Sequence, residues 1–192
     1  MNELAELTLL AVRLRSRGVA AAVAASVADL TGGDVEPTAV ESLLAEALDQ
    51  GQVRRRGEGG RWSLTPAGEA ELSALLAADL TGEDRADVMI GYEAFLPLNR
   101  RFLTACAAWQ DDPDGLDEFV ELVAALVPIA DALADTRSRF GGYGPRLVGA
   151  LAEASADPAW IDSPTRDSVH TVWFELHEHL LASLGRSRVD ER

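Results

Sequence analysis

Residues 51–68 read GQVRRRGEGGRWSLTPAG, and this stretch decides the fold of the part of the chain around it. Residues 52–56 and 61–64 are two short runs of mainly β-branched, aromatic and long side chains. The glycine-rich residues 57–60 between them are typical of a hairpin turn. The stretch therefore predicts a small antiparallel β-hairpin.

The hairpin residues also predict a buried face, and the segment after them predicts a helix start. Because side chains alternate along a strand, Val53, Trp62 and Leu64 are expected to point inward, while Arg54 and Arg56 are expected to point outward. Thr65 supplies a hydroxyl that can act as an N-cap, and Pro66 has the φ preferred at the first helical position. We therefore expect a helix that begins at about Pro66.

The arginines of the hairpin stand out against an acidic chain. The 192 residues include 17 Arg, no Lys and 32 Asp or Glu, which gives a net charge of −15. This balance argues against a protein that holds nucleic acid through a general positive field. Residues 1–80 carry a net charge of −5 and residues 81–192 carry −10. The densest positive spot comprises Arg54, Arg55, Arg56 and Arg61.

Helical patterns precede and follow the hairpin. Leucines at three- and four-residue steps predict a helix over residues 3–16, and a small apolar run predicts another over residues 20–30. Pro37 opens a third helix that closes at Gly51, and the fourth runs over residues 66–80. The buried stripe of the third helix is expected to comprise Val40, Leu43, Leu44, Ala47 and Leu48.

The chain resembles the MarR-type and related winged-helix regulators of actinobacteria, in which the motif Leu-Thr-Pro-x-Gly closes the wing. The resemblance rests on the order of the elements and on residues 43–68, in particular Leu43-Leu44, Gly51-Gln-Val53-Arg54-Arg55-Arg56 and Trp62-Ser-Leu64-Thr65-Pro66-Ala67-Gly68. It covers roughly residues 1–80. It implies a winged helix-turn-helix domain that binds double-stranded DNA.

Residues 81–192 predict a second, all-helical domain. Thr81 and Asp84 resemble a capping box, which places the domain boundary near residue 81. We expect a mainly α chain with a small β-hairpin wing, in which a winged helix-turn-helix over residues 1–80 precedes a helical bundle. The bundle is expected to form a homodimer, to sense a small-molecule effector, or both.

The third helix weakens the case for DNA binding. A recognition helix reads base edges with polar or basic side chains, and here Thr38 and Ser42 are the candidates. Glu41, Glu46 and Asp49 accompany them. A carboxylate about 7 Å from a phosphate costs roughly 0.6 kcal/mol in water. Three carboxylates therefore offset about what three hairpin arginines contribute.

Two functions stay open for this domain. A dimer that presents two wings, aided by Arg13, Arg15 and Arg17 near the end of the first helix, is expected to bind DNA in a salt-sensitive way. Alternatively, the acidic third helix and the wing bind a protein partner, as in an adaptor or accessory protein. The residues expected to contact DNA are Arg54, Arg55, Arg56, Arg61, Thr38 and Ser42.

The long helix after residue 81 contains a candidate ligand site. Asn99 lies on a face that is otherwise apolar and aromatic, and a buried amide needs a partner, either a neighbouring element or a ligand. The glycine-rich turn before Arg146 either seats a carboxylate or phosphate or is a tight turn between helices. The side chains expected to line a ligand site are Tyr92, Asn99, Trp109, Arg146, His170, Trp173 and His177.

The last helix carries all three histidines of the chain. His170 and His177 are seven residues apart and share a face, whereas His179 and Glu175 are expected on the opposite, polar side. The shared pair has three interpretations, which are packing within the core, a ligand-binding wall, and a metal site. We expect no metal, because a pair spaced by seven lacks the four-residue step of a zinc-binding helix.

Several function classes are disfavoured. We expect neither an enzyme nor a cofactor, because the chain shows no nucleophile–base pair, nucleotide-binding glycine loop or metal motif of recognised spacing. Cys106 is the one cysteine and fits a reducing cytoplasm, where we expect it to be a buried free thiol. No signal peptide or membrane-spanning run is visible, so no membrane partner is expected.

Overall fold

The chain folds into helices and one small hairpin. A computed structural model describes four stretches of it, residues 3–15, 18–57, 60–111 and 115–191. The helices are α1 (Glu3–Leu14), α2 (Ala20–Thr31), α3 (Pro37–Asp49), α4 (Pro66–Asp79), α5 (Gly82–Asp111), α6 (Leu116–Thr136), α7 (Tyr143–Ala154), α8 (Ala159–Asp162) and α9 (Val169–Leu184). The strands β1 (Val53–Arg56) and β2 (Arg61–Leu64) pair antiparallel. The prediction of a mainly α chain with a small β-hairpin is confirmed.

The chain divides into two compact units. The first unit comprises residues 1–81 together with residues 181–192, and the second comprises residues 82–180. The sequence pattern predicts instead that all of residues 81–192 form one C-terminal domain. The structure groups the end of α9 with the first unit, where Ala182 is buried in the same apolar cluster as the side chains of α1 to α4.

The core of the first unit is built on α1 and closed by the hairpin. Leu10 of α1 is fully buried, because α2, α3, α4 and β2 all pack against this helix. Val53, Trp62 and Leu64 are buried in the same cluster, so the predicted inward face of the hairpin is confirmed.

A backbone bond joins the hairpin to the segment between α1 and α2. The N–H of Trp62 donates to the carbonyl of Gly18 at 2.9 Å. This bond ties the segment before α2 to β2. The hairpin is held by this bond as well as by its buried side chains.

The start of α4 fits directly against the start of β1. The hydroxyl of Thr65 donates to the carbonyl of Gly51 at 2.6 Å and accepts from the N–H of Gly68 at 3.1 Å, so Thr65 caps the helix as predicted. A Cβ atom at position 68 would lie 1.9 Å from the carbonyl oxygen of Gln52. The Thr-Pro-x-Gly sequence therefore meets a steric requirement at the base of the hairpin.

The buried stripe of α3 is narrower than predicted. Val40, Leu44 and Ala47 are buried, but Leu43 is only partly buried and Leu48 is 41% exposed. The prediction for Leu48 was wrong because three buried positions suffice to pack α3 against α1 and α2. Leu48 is left as an apolar side chain on the surface of an acidic helix.

The second unit is organised by the antiparallel pair α5 and α6. Near the start of α5, Asp84 pairs with Arg137 just after the end of α6, with 2.6 Å between the charged groups. At the far end, Arg101 bonds Glu118 in the first turn of α6 at 2.8 Å. Between these contacts the two helices approach closely at Gly91, where an added Cβ would lie 2.7 Å from the side chain of Leu133.

Candidate functional site

The hairpin presents its arginines on two faces. Arg54 lies opposite Ser63 and Arg56 lies opposite Arg61, so these side chains share the face that points away from the core. The guanidinium of Arg54 donates to the Ser63 hydroxyl at 3.0 Å. Arg54, Arg56 and Arg61 are all exposed. This outward set of three arginines, the hairpin cation face, can approach a phosphate backbone together.

Arg55 differs from the other hairpin arginines. It lies opposite Trp62, and its guanidinium carbon lies 5.7 Å from the centre of the indole ring. Arg55 is exposed as well, but its side chain lies on the same face of the hairpin as Val53, Trp62 and Leu64. Sequence periodicity already placed Arg54 and Arg56 outward, and the structure adds Arg61 to them.

The exposed face of α3 is polar at its start and acidic beyond. Thr38 and Ser42 are exposed, and the Ser42 hydroxyl donates to the Thr38 carbonyl at 2.9 Å. Glu41, Glu46 and Asp49 are also exposed. A hydroxyl that is bonded within its own helix can exchange that bond for a base edge, but the carboxylates beside it repel phosphate.

The arginines at the end of α1 are already used within the first unit. Arg13 pairs with Glu69 at 2.5 Å, and Arg15 lies 3.7 Å from Asp29. Both side chains are largely buried by these contacts. Arg17 lies outside the described residues. The expected support for DNA binding from Arg13 and Arg15 is therefore not available in this arrangement.

In the second unit, Asn99 bonds a neighbouring helix. The indole N–H of Trp173 donates to the side-chain oxygen of Asn99 at 3.1 Å, and both residues are buried. The same indole stacks on Phe102, with ring centres 4.1 Å apart and planes 5° from parallel. Of the two alternatives for Asn99, the structure shows a partner on another element. Tyr92 is also buried, at 1% exposure.

The two histidines on the shared face pack against aromatic rings of α5. His177 is buried with its ring centre 5.1 Å from that of Phe95, and the partly buried His170 stacks on Phe102 at 6.1 Å and on Phe174 at 5.8 Å. These contacts account for both rings through packing. The ligand-binding interpretation of this wall stays a prediction.

Arg146 is neutralised by carboxylates of its own unit. Its guanidinium donates to Glu175 at 2.7 Å and to Asp167 at 3.2 Å. Its side chain is 14% exposed. Because two carboxylates already surround this one cation, an anionic ligand at Arg146 would have to displace one of them. Arg146 lies in the first turn of α7, which begins at Tyr143 directly after the glycine-rich turn.

His179 and Glu175 are buried, so the prediction that they face a polar side was wrong. Both are below 4% exposed because α9 is covered on nearly all its faces. Arg139 donates through Nε to Nε2 of His179 at 3.2 Å, which leaves the ring proton on Nδ1, 3.1 Å from the hydroxyl of Tyr143. Burial and the nearby charge of Arg139 hold the pKa of His179 well below its usual value.

Surface grooves open on the described part of the second unit, and two of them lie along α5. One, of about 580 Å³, lies between α5 and α6 around Gly91. The other, of about 450 Å³, is lined by Arg100 and by Trp109, whose ring also packs edge-on against Phe119 at 5.4 Å. Of the seven side chains predicted to line a ligand site, Trp109 alone lines either groove.

Sequence reasoning missed the carboxylates of the larger groove and the partners of His179. Asp84, Asp87, Gly91 and Ala94 lie at three- and four-residue steps on α5, a spacing that could have indicated a shared face. No comparable signal links Arg139 to His179, because the two residues are forty positions apart and only the tertiary fold joins them.

The described residues offer neither a metal cluster nor a reactive thiol. No group of three or more His, Cys, Asp or Glu side chains in this part of the chain could hold a metal ion. Burial, with a smaller effect of the Asp162 carboxylate, raises the pKa of the Cys106 thiol to about 11. No helix in the described stretches is long and apolar enough to cross a membrane.

No protein-family model, curated protein or solved structure matches this chain.

Proposed function

We propose that the first unit is a winged-helix domain and that the chain is a cytoplasmic DNA-binding transcriptional regulator. The order of α1, α2, α3, hairpin and α4 supports this assignment, as does the backbone bond between Gly18 and Trp62 beside the hairpin. The fit of Gly68 against Gln52 gives a physical reason for the Thr-Pro-x-Gly motif, which resembles the one that closes the wing in MarR-type regulators.

The observation that carries the DNA-binding proposal is the hairpin cation face. Arg54, Arg56 and Arg61 point outward together from the same face of the two-stranded hairpin. Guanidinium groups on a wing contact phosphate oxygens, and such contacts fix the position of the protein on the duplex. Thr38 and Ser42 at the start of α3 would then face base edges.

The acidic α3 sets the character of this binding. Its exposed carboxylates at Glu41, Glu46 and Asp49 oppose phosphate, so one protomer contributes little affinity beyond its hairpin. A homodimer that places two hairpins on two half-sites doubles the phosphate contacts and makes binding steeply dependent on salt. The second unit supplies this dimerisation, the sensing of a small-molecule effector, or both.

The proposal is tested by the salt dependence of binding to the DNA upstream of the chain's own gene. Replacing Arg54, Arg56 and Arg61 by Ala should lower the slope of log affinity against log salt by about 1 for each phosphate that the hairpin no longer neutralises. Each single Arg→Ala variant of the hairpin cation face is also compared with Arg55→Ala, which removes one arginine from the opposite face of the hairpin and should lower the slope less. An unchanged slope in the triple variant, with the dimer intact, would contradict the proposal.

A protein partner in place of DNA is the second candidate, and the exposed Leu48 favours it. An apolar side chain among Glu46 and Asp49 forms a surface that a basic, partly apolar partner fits. Glu46→Gln separates the two functions. It should strengthen DNA binding by removing a repulsion, whereas it should weaken the binding of a basic protein partner.

A further inference from the structure

The larger groove of the second unit has an apolar floor between two helices. It lies between α5 and α6 and encloses about 580 Å³, a volume in the usual range for sites that hold small organic ligands. Ile90 and Ala94 line it from α5, and Pro128, Ile129 and Ala132 line it from α6. Ile90 is 65% exposed, so the groove presents apolar surface to solvent.

The two ends of the groove differ in polarity. Asp84 near the start of α5 pairs with Arg137 beyond the end of α6, so the two helices are antiparallel. The start of α5 and the end of α6, which both carry carboxylates, therefore lie at the same end of the groove. Asp87 and Asp135 line this end, whereas Ala94 and Pro128 line the other. At 1.5 Å per helical residue, the α5 wall from residue 84 to residue 94 is roughly 15 Å long.

The carboxylates at the acidic end are available to a ligand. Asp87 and Asp135 are exposed and form no ion pair with any residue in the described stretches, unlike Asp84. The second unit as a whole contains 7 Arg against 18 Asp or Glu. Its field therefore attracts cations and repels anions before any contact is made.

This distribution of charge selects one kind of occupant. A basic amphipathic helix would need carboxylates along both rims, but here they occupy one end only. A molecule with one cationic head and an elongated apolar body matches both ends at once. We propose that this groove binds an amphiphilic organic cation, with its head at Asp87 and Asp135 and its body along Ala94 and Pro128.

The assignment rests on the proposed sensing role of the second unit, and it names the chemical class of the effector. Direct titration of the full chain with decyltrimethylammonium, kept below its micelle concentration, tests it without DNA. Calorimetry should show saturable binding at least tenfold tighter than that of decyl sulfate. Equal affinity for the cation and the anion, or no saturation, would overturn the assignment.

Two pairs of substitutions locate the site. Asp87→Asn with Asp135→Asn should weaken cation binding at least tenfold. Glu93→Gln with Asp131→Asn is the matched control, because these exposed carboxylates lie on the same two helices outside the groove lining and remove the same charge. The control should stay within twofold of the parent, and an equal loss in both pairs would overturn the assignment.

A third variant tests the apolar end and separates this inference from the regulatory one. Ala94→Phe places a large side chain in the groove at an exposed position and should abolish binding of the cation. If it changes the sedimentation coefficient of the ligand-free chain instead, the groove is an interface between copies and the assignment fails. If the cation binds but DNA affinity stays unchanged, the ligand site is supported. The proposal that the second unit senses an effector would then fail, without affecting the site.

Discussion

Gly68 lies in the first turn of α4, where the helix crosses the chain at Gln52. The carbonyl oxygen of Gln52 occupies the space that a side chain at position 68 would need. The same carbonyl accepts the backbone N–H of Thr65 at 2.9 Å, and the Thr65 hydroxyl, which donates to Gly51, lies 3.1 Å from it. One backbone group therefore organises both the cap of α4 and the base of the hairpin, and it can shift only if both move.

We expect Gly68→Ala to destabilise the first unit by about 2 kcal/mol, within the range for overpacking a buried site, despite the better helix propensity of alanine. Gly33→Ala is the matched control, because its added Cβ meets no atom within 4 Å. Urea unfolding of both variants measures the difference. Equal stability of the two would show that α4 can move away from Gln52 at little cost.

His179 is a neutral histidine held between a cation and a phenol. Its Nε2 accepts from Arg139, so a proton at that atom would break the bond and place two positive charges in contact. Its folded pKa lies below the ordinary value of 6.5, which the unfolded chain retains. The stabilisation it gives is therefore complete above about pH 6.5 and is lost as the pH falls below that value.

Lowering the pH from 6.5 to 5.0 should reduce the free energy of unfolding by up to about 2 kcal/mol through His179 alone. His179→Gln keeps a hydrogen-bond acceptor for Arg139 but does not titrate. It should be less stable than the parent at neutral pH and show a weaker dependence on acid. Chemical denaturation at several pH values checks this, and parallel curves for the two chains would rule out His179 as the titrating group.

Among the elements, α5 and α9 are linked by a polar contact inside an aromatic core. The bond from Trp173 to Asn99 lies on a face of α5 that is otherwise mainly aromatic, with Phe95 and Phe102 on either side of Asn99. The stacked rings of Phe102 and Trp173 fix the indole, so its N–H has one direction in which to donate. Asn99 thus sets the register of the two helices.

Replacing Asn99 by Leu should cost about 1–3 kcal/mol, because the buried N–H of Trp173 loses its acceptor. The fluorescence of Trp173 should shift to the blue as its ring loses the polar neighbour. Arg100→Ala, at the adjacent exposed position, should change stability by less than about 0.5 kcal/mol. If Asn99→Leu were as stable as the parent, the bond would add nothing to the free energy of unfolding and would serve only to select this packing of the two helices.

The elements that could be predicted from sequence are those whose signals are local. The hairpin is encoded within eighteen residues by glycines, alternating side chains and the Thr65 cap, and the structure forms it there. The sequence correctly predicted that α9 is a helix. It wrongly predicted that the side with His179 and Glu175 is polar and exposed to solvent. His179 and Glu175 are buried by partners far away in the sequence, and periodicity within one helix carries no record of them.

At the scale of the whole molecule, charge is the dominant feature. The 32 carboxylates outnumber the 17 arginines, and the excess acts against compactness at low ionic strength. Exposed ion pairs such as Arg166 with Asp157 recover a little of this cost. Salt screens both the repulsion among the carboxylates and the attraction within the ion pairs. Because carboxylates are in excess, the repulsion is the larger of the two, and screening should stabilise the fold.

Raising sodium chloride from 0.05 M to 0.5 M should therefore increase the melting temperature by a few degrees, as the Debye length falls from about 14 Å to about 4 Å. Scanning calorimetry measures the shift. Potassium chloride at the same ionic strength should give the same result, which assigns it to screening. A melting temperature that falls with salt would show that the ion pairs outweigh the repulsion.

The two candidate sites differ in how far the sequence alone could locate them. The arginines of the hairpin could be read from the sequence, because a strand fixes which neighbours share a face. The groove between α5 and α6 could not, since it is lined by residues of two helices that only the tertiary fold brings together, at Gly91 and Leu133. Its carboxylates at Asp87 and Asp135 are 48 positions apart and no spacing rule connects them.

The grouping of residues 181–192 with the first unit has a consequence for how the chain is made. Residues 82–180 are translated between the two segments of that unit. The ribosome releases the hairpin and its helices long before it releases Ala182, which belongs to their core. The nascent first unit must therefore persist in an incomplete form until the second has been synthesised, and an expression fragment that stops at residue 81 would preserve that unfinished state.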